Sequence, residues 1–375
     1  MHLFDPLVLG GIRLKNRIFV SPVCQYSANE GHPTTWHLVH LGSRAVGGAA
    51  LVLAEATAVE ARGRISPADS GIWLDSQADA WAPIARFIAE QGAAAGMQLA
   101  HAGRKGSTAV PWRGGKELSA EHGGWPTVAP SAVAFASEYP TPAAMTAADI
   151  DTVVTAFADG ARRAYAAGFR VLEIHAAHGY LIHEFLSALS NRRQDEYGGS
   201  FENRMRLVRR VVAAVRDAVP EGTALLLRIS ATDWTDGGWD LDQSCALVES
   251  LKNEGIHLVD VSSGGNVATA TIPFGPGYQT SFAAAIRLRT GVPTGAVGMI
   301  VAPAQADQVV ADRTGRRGAA RTRAAARSVL AAAGGAGARC QSRVARAVCA
   351  RMVARSRHGS RSHHATTRCG PRASA

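Results

Sequence analysis

Two histidines and a tyrosine fall within six positions of one another, at His175, His178 and Tyr180, in the run Glu173-Ile174-His175-Ala176-Ala177-His178-Gly179-Tyr180. A β-branched stretch, Arg170 to Ile174, leads into them and predicts a strand whose end delivers all three. Imidazoles three apart just beyond a strand end can bind one oxygen as paired donors, and a nearby phenol offers a weakly acidic O–H. That is equipment for polarising a carbonyl or nitro group and protonating the carbon skeleton attached to it. The bare H-x-x-H spacing also suits a metal site or a satisfied polar loop. The longer string H-A-A-H-G-Y-L-I-H-E-F-L-S is far more specific.

Positioning such a run needs a scaffold, and the chain alternates apolar strand-like runs with amphipathic stretches. The predicted strands are Asn16–Pro22, Ala49–Ala56, Ala94–His101, Phe169–Ala176, Ala224–Ser230, His257–Ser263 and Pro293–Gly298. The predicted helices include Asp79–Gln91, Ala147–Ala167, Glu202–Val219 and Leu241–Glu254, with Thr146 and Asp240 as N-caps. Strands apolar on both faces, separated by helices, imply a parallel sheet. Without a glycine fingerprint after the first strand, the pattern predicts an α/β fold, a (β/α)₈ TIM barrel. Polar residues collect where the predicted strands end: Ser21 to Tyr26, Glu55-Ala56, Gln98 and His101 to Lys105, His175 and His178, Arg228, Ser262-Ser263-Gly264, and Gly295 with Gly298. In a barrel these ends share one face, where chemistry sits. The set has amide and cationic groups, a thiol and small residues, and would suit a planar polar cofactor such as a flavin. It lacks the nucleophile–base or paired-carboxylate arrangement of hydrolases.

The formal net charge of +10 invites a nucleic-acid reading. Of 40 Lys and Arg, 15 fall at 312–375, and of 30 Asp and Glu only one does, so residues 1–311 hold 25 basic against 29 acidic side chains. The body therefore has no basic footprint for a phosphate backbone. Cys340, Cys349 and Cys369 also lie in the tail, leaving Cys24 and Cys245, which predicts a reducing compartment and no disulfide framework. No signal peptide or membrane span is expected, and the location predicted is cytoplasmic.

The residues now assembled resemble the Old Yellow Enzyme family, in its bacterial branch with a cysteine beside the flavin. The carriers of the resemblance are Leu14 to Ile18, Ser21 to Ser27, Gln98 to Lys105, His175 to Ser187, Ser190 to Ser200, Glu202 to Arg204 and Gly295 to Ile300. The resemblance implies an FMN-dependent ene-reductase that takes its electrons from NADPH or NADH. Its small-molecule substrates would be α,β-unsaturated carbonyl or nitro compounds. His175 and His178 would hold the substrate oxygen, and Tyr180 would protonate the α-carbon. Cys24 and Tyr26 would flank the reacting centre. Ser21, Pro22, Val23, Cys24, Ala56, Gln98, Arg228 and Gly298 would bind the cofactor. No metal, nucleic-acid or membrane partner is implied. Val23 departs from the family's usual methionine, and Ser107–Val128 reads as a Trp- and Gly-rich insertion, a lid or an oligomer contact.

After Val310 the family pattern stops. The family would continue with an eighth strand ending in Gly-Arg that grips the FMN phosphate, then a last helix with an arginine lent to a neighbouring subunit, implying a homo-oligomer if that end is intact. Residues 312–375 are instead Arg/Ala/Gly-rich without apolar periodicity. The domain division expected is a seven-stranded FMN-binding barrel at 1–311 and an aberrant, disordered tail at 312–375. A reading-frame slip near Asp312 explains it: a frame one nucleotide later can encode the missing strand, its Gly-Arg, a helix and a terminal Q-Y-x-R. On that reading the eighth βα unit is lost, strands one and seven keep open edges, and the chain as written binds FMN poorly. The alternative is a non-enzymatic, basic-tailed nucleic-acid-binding or degenerate barrel protein.

Overall fold

A computed structural model of the chain describes residues 1–311 and 328–332. Eight parallel strands close into a barrel in sequential order. They are β1 (Ile18–Val20), β2 (Leu51–Ala58), β3 (Ala94–Ala100), β4 (Val171–Ala176), β5 (Ala224–Ser230), β6 (Leu258–Ser262), β7 (Thr294–Ala296) and β8 (Ser328–Ala332). Between them run α1 (Thr35–Val46), α2 (Asp75–Glu90), α3 (Ala147–Ala166), α4 (Leu181–Leu186), α5 (Phe201–Ala218), α6 (Leu241–Leu251), α7 (Thr280–Thr290) and α8 (Pro303–Ala311). The α/β TIM barrel expected from the sequence is therefore the fold.

The eighth position departs from expectation. The sequence left it empty, yet Ser328–Ala332 pairs in parallel with β7 on one side and β1 on the other. A strand joins a sheet through its backbone, and Ser-Val-Leu-Ala-Ala carries neither charge nor proline to oppose pairing. The edges predicted to stay open are thus covered. The proposed frame slip and the rest of the predicted disordered tail lie outside the described residues.

Side-chain alternation explains the layering. Along β5, Leu225, Leu227 and Ile229 point outward into a core shared with the helices, while Ala224 and Leu226 point inward. Leu51, Leu53, Val171 and Leu258 join that inner cluster, which is capped by Leu7, Leu9 and Leu14 of an antiparallel hairpin, Leu7–Leu9 with Ile12–Leu14. The hairpin turns at Gly10, whose φ of +57° suits glycine, and a Cβ there would come 3.2 Å from Ala224 Cα. This plug seals the N-terminal end of the barrel with hydrocarbon. Polar inward positions follow further along the same strands: Gln98, Glu173, His175, Arg228, Asp260 and Ser262. The site is thereby confined to the C-terminal end.

The helices are fixed by capping and amphipathicity. Thr146 Oγ1 accepts from the Asp149 N–H at 3.2 Å while Asp149 accepts from the Thr146 N–H at 2.9 Å, a reciprocal capping box that starts α3. Asp240 accepts from the Gln243 N–H at 2.8 Å and starts α6. Each such cap contributes about 1 kcal/mol.

Candidate active site

The loop after β4 carries the centre. His175 is the last inward residue of β4, buried beside Arg228, its direct partner across the β4–β5 pairing. The Ala177 N–H donates to His175 Nδ1 at 3.2 Å, so the ring hydrogen resides on Nε2. His178 follows with φ +61°, a left-handed residue held by its N–H donating to Ser230 Oγ at 2.9 Å. Gly179 has φ +71°, and a Cβ there would collide with the Gly265 carbonyl, so only glycine lets the loop pass. The result is a compact aromatic corner: the His175 ring lies 5.1 Å from His178 and 5.0 Å from Tyr180, each edge to face.

A second layer holds this loop. Lys105 Nζ donates to the carbonyls of His178 and Gly265, both at 2.9 Å, and lies 5.1 Å from the centre of the Tyr180 ring. The Gly179 N–H donates to His183 Nδ1 at 2.9 Å, and His183 Nε2 stands 3.0 Å from Asp233, itself bound by Ser187 Oγ at 2.6 Å. The segment Asn191–Arg204 braces the base of the loop: Asn191 donates to the Phe185 and Tyr197 carbonyls, and Arg204 to that of Leu186.

The other expected residues gather around this corner. Ser21 follows β1, buried, its hydroxyl without a hydrogen-bond partner among the described residues. Pro22, Val23, Cys24 and Tyr26 follow in an irregular, half-buried segment. Ala56 lies directly opposite Gln98 because β2 bulges between Ala54 and Ala56. The bulge sends Glu55 to accept the Gln25 N–H at 3.1 Å, fixing the Cys24 segment. Arg228 lies between His175 and Asp260 in the strand register. Gly298 stands two residues past β7 with φ +114°; its missing Cβ would meet Tyr278 at 3.1 Å, so backbone conformation and this close ring account for the glycine.

Electrostatics give these groups their protonation. Burial pushes the Tyr180 phenol well above its usual range, and the neighbouring Cys24 and Tyr26 push it further. Burial also raises the Cys24 thiol, with Asp69 and Glu55 adding to it. Burial and then Arg228 hold His175 and His178 well below the usual imidazole range. At neutral pH the site thus presents neutral imidazoles, a neutral phenol and a thiol rather than a thiolate.

A cavity of about 360 Å³ opens over Tyr180, lined by Tyr26, Lys105, Thr108, Lys116 and Tyr139 among others. Its outer wall comes from the insertion, where Trp112 meets the Tyr26 ring edge-on at 5.7 Å. A smaller crevice beside it is lined by Ala56, Ala102 and Tyr180. Cys24, Gln98, Arg228 and Gly298 are not among the residues lining the larger cavity, which Tyr26 and Tyr180 do line.

The mouth also holds residues that strand ends marked and one that nothing local marked. Ser262 stands 2.7 Å from His178 Nε2 and 3.3 Å from Gln279 Oε1, and Ser263 donates to Gln279 at 2.6 Å. The polar strand end Ser262-Ser263-Gly264 pointed to the serines, whereas nothing local marked Gln279. Glu173 and Asp260, buried in the same strands, were not singled out from the sequence.

A planar cofactor with an imide edge fits these residues. Among the described residues, buried Ser21 Oγ and Arg228 Nε have no hydrogen-bond partner, and Ala56 opposite Gln98 leaves a low wall. Residues 2–332 match the NADH:flavin oxidoreductase / NADH oxidase family. The chain belongs to that family, the Old Yellow Enzyme family. It is 49% identical over 310 residues to an NADPH dehydrogenase of Geobacillus thermodenitrificans, covering 82% of this chain and 86% of the relative. It is 44% identical over 310 residues to an NADPH dehydrogenase of Bacillus subtilis, with the same coverage of 82% and 86%. Among solved structures, morphinone reductase superposes with a TM-score of 0.70 at 25% identity, over 88% of this chain and 85% of that one. An old yellow enzyme homologue from Zymomonas mobilis gives 0.69 at 28% identity, over 83% and 86%. Like its family, the chain is an FMN-dependent NAD(P)H oxidoreductase. Among the described residues no helix is long and apolar enough to cross a membrane, and no group of three or more His, Cys, Asp or Glu could hold a metal ion.

Proposed function

We propose that the enzyme reduces the activated C=C bond of α,β-unsaturated carbonyl or nitro compounds. The observation that carries this reading is the corner of His175, His178 and Tyr180, whose phenol faces the cavity. Bound FMN, once reduced by NAD(P)H, supplies a hydride. His175 donates through Nε2–H to the substrate oxygen, and His178 contributes the second donor when its Nδ1 carries the ring hydrogen. Both are neutral, so they stabilise the enolate-like charge by hydrogen bonding without giving up a proton prematurely. Tyr180 supplies the proton to the α-carbon. Its high pKa keeps it protonated until a strongly basic carbon forms beside it. Substrate thus gains one hydride and one proton, and Tyr180 is reprotonated from the cavity. Ser21, Pro22, Val23, Cys24 and Ala56 would line the cofactor's ring, Gln98 and Arg228 would meet its pyrimidine edge, and Gly298 would lie at its margin. Tyr26 closes the substrate pocket.

The test is anaerobic turnover of the FMN-loaded chain with NADPH and 2-cyclohexenone. Formation of cyclohexanone in step with NADPH consumption is expected. NADPH oxidation that leaves the olefin untouched would sink the reading.

We also propose that residues 312–375 arise from a frame slip near Asp312, supported by their Arg/Ala composition against the acidic body. Resequencing codons 300 to 350 decides it: a corrected base restores the Gly-Arg phosphate anchor, and an unchanged sequence removes the slip as a reading error.

A further inference from the structure

The inward polar layer beneath the mouth contains two carboxyls that the proposed chemistry leaves unused. Glu173 is fully buried and Asp260 is 2% exposed. Each is the direct register partner of a residue assigned to the flavin edge: Glu173 faces Gln98 across β3–β4, and Asp260 faces Arg228 across β5–β6. Gln98 Nε2 donates to Glu173 Oε1 at 2.7 Å. An accepting carboxyl oxygen there fixes which end of the amide turns away from Glu173, leaving the Gln98 carbonyl free for a ligand N–H.

The second pair differs. Arg228 Nη1 lies 3.5 Å from Asp260, near enough to balance charge, yet among the described residues both Asp260 oxygens and Arg228 Nε lack hydrogen-bond partners. A buried ion pair is usually costly unless its donors and acceptors are satisfied. Here charge is compensated while guanidinium donors are kept for something else. Burial holds Glu173 up at about 8, with Asp260 adding to the rise. Burial raises Asp260 as well, while the Arg228 guanidinium beside it pulls the other way and favours its charged form.

We propose that Glu173 and Asp260 are positioning residues for the flavin, Glu173 orienting the Gln98 amide and Asp260 holding the Arg228 guanidinium and limiting how much of its charge reaches the ring. The proposal rests on the reading that Gln98 and Arg228 meet the flavin's pyrimidine edge. Asp260 then lowers the preference for reduced, anionic flavin, and Glu173 governs affinity without changing charge.

The experiment uses the full chain loaded with FMN, measuring the dissociation constants of oxidised and reduced FMN from fluorescence and the midpoint potential. Asp260→Asn is expected to raise the ratio of oxidised to reduced dissociation constants by roughly tenfold, as one unit charge acting over several ångström would. Glu173→Gln, whose amide can present either face to Gln98, is expected to weaken oxidised FMN several-fold with the ratio unchanged. A merely structural role moves thermal stability and both redox states alike. Folded, FMN-bound Asp260→Asn with an unchanged ratio overturns the role of Asp260, and undiminished affinity in Glu173→Gln overturns that of Glu173. The isosteric Glu173→Gln keeps the proposal testable where Asp260→Asn fails to fold. Gln98→Ala and Arg228→Ala address the underlying reading: if both bind FMN as the unmodified chain does, the assigned flavin edge falls. An unmodified chain that takes up no FMN overturns that reading and this inference with it.

Discussion

His178 Nε2 and the Ser262 hydroxyl meet at 2.7 Å, tying the loop after β4 to the end of β6. The serine has one hydrogen and two acceptors in reach, His178 and Gln279. Given to His178, it places the ring hydrogen on Nδ1. Ser262→Ala removes that control. The expected result is a loss of roughly fivefold in kcat/KM for an unsaturated ketone, the worth of one hydrogen bond. Reduction of the flavin by NADPH is expected to change far less, as separate stopped-flow measurement of the two half-reactions would show.

Tyr180→Phe keeps the ring against His175 and removes only the proton. Substrate reduction is expected to slow by about 10²–10⁴-fold, the usual contribution of a positioned acid. Flavin reduction stays near its normal rate. Equal slowing of both half-reactions would remove the tyrosine from its role as proton donor.

Asp233 anchors His183 and, through it, the Gly179 N–H. Burial pushes the Asp233 carboxyl upward, but His183, with hydrogen bonds from Ser187 and the Trp239 N–H, outweighs burial and brings it down to about 2. A carboxyl with a depressed folded pKa adds stability above its unfolded value of 3.8 and loses it as pH falls through about 2. The shift corresponds to about 2 kcal/mol at neutral pH. Asp233→Asn should show that deficit in urea unfolding at pH 7, and the two proteins should converge in acid. A constant gap across that range would mean that charge is not what Asp233 contributes.

Trp112 is 67% exposed, yet its ring leans on Tyr26 at the cavity wall. Trp112→Ala should widen the entrance. The expected change is a rise of a few-fold in kcat/KM for a bulky β-substituted enone relative to 2-cyclohexenone, without a change in FMN affinity. Identical ratios in both proteins would show that the insertion does not limit substrate size.

The elements most legible in the sequence were those with local signals. The strand predicted at Ala224–Ser230 is β5 to the residue, and the helix predicted from Ala147 begins there because Thr146 and Asp149 cap it within four positions. The corner at His175 was legible for the same reason, since its three side chains are consecutive in space and nearly so in sequence. Helix α1, Thr35–Val46, went unpredicted although its apolar stripe is as clear as that of α3. The bulge that aligns Ala56 with Gln98 and the Ser262–His178 bond, 84 residues apart, depend on strand register, which no local pattern encodes. The eighth strand was missed because backbone pairing makes little demand on composition.

The strand at Ser328–Ala332 separates two jobs that the end of this chain would otherwise perform together. Completing the cylinder asks only for a short uncharged stretch in extended form, whereas gripping a phosphate asks for particular side chains in a particular order. Closure of the cylinder and capture of a phosphate are thus separate properties, and a chain that keeps the first is no guide to the strength of the second.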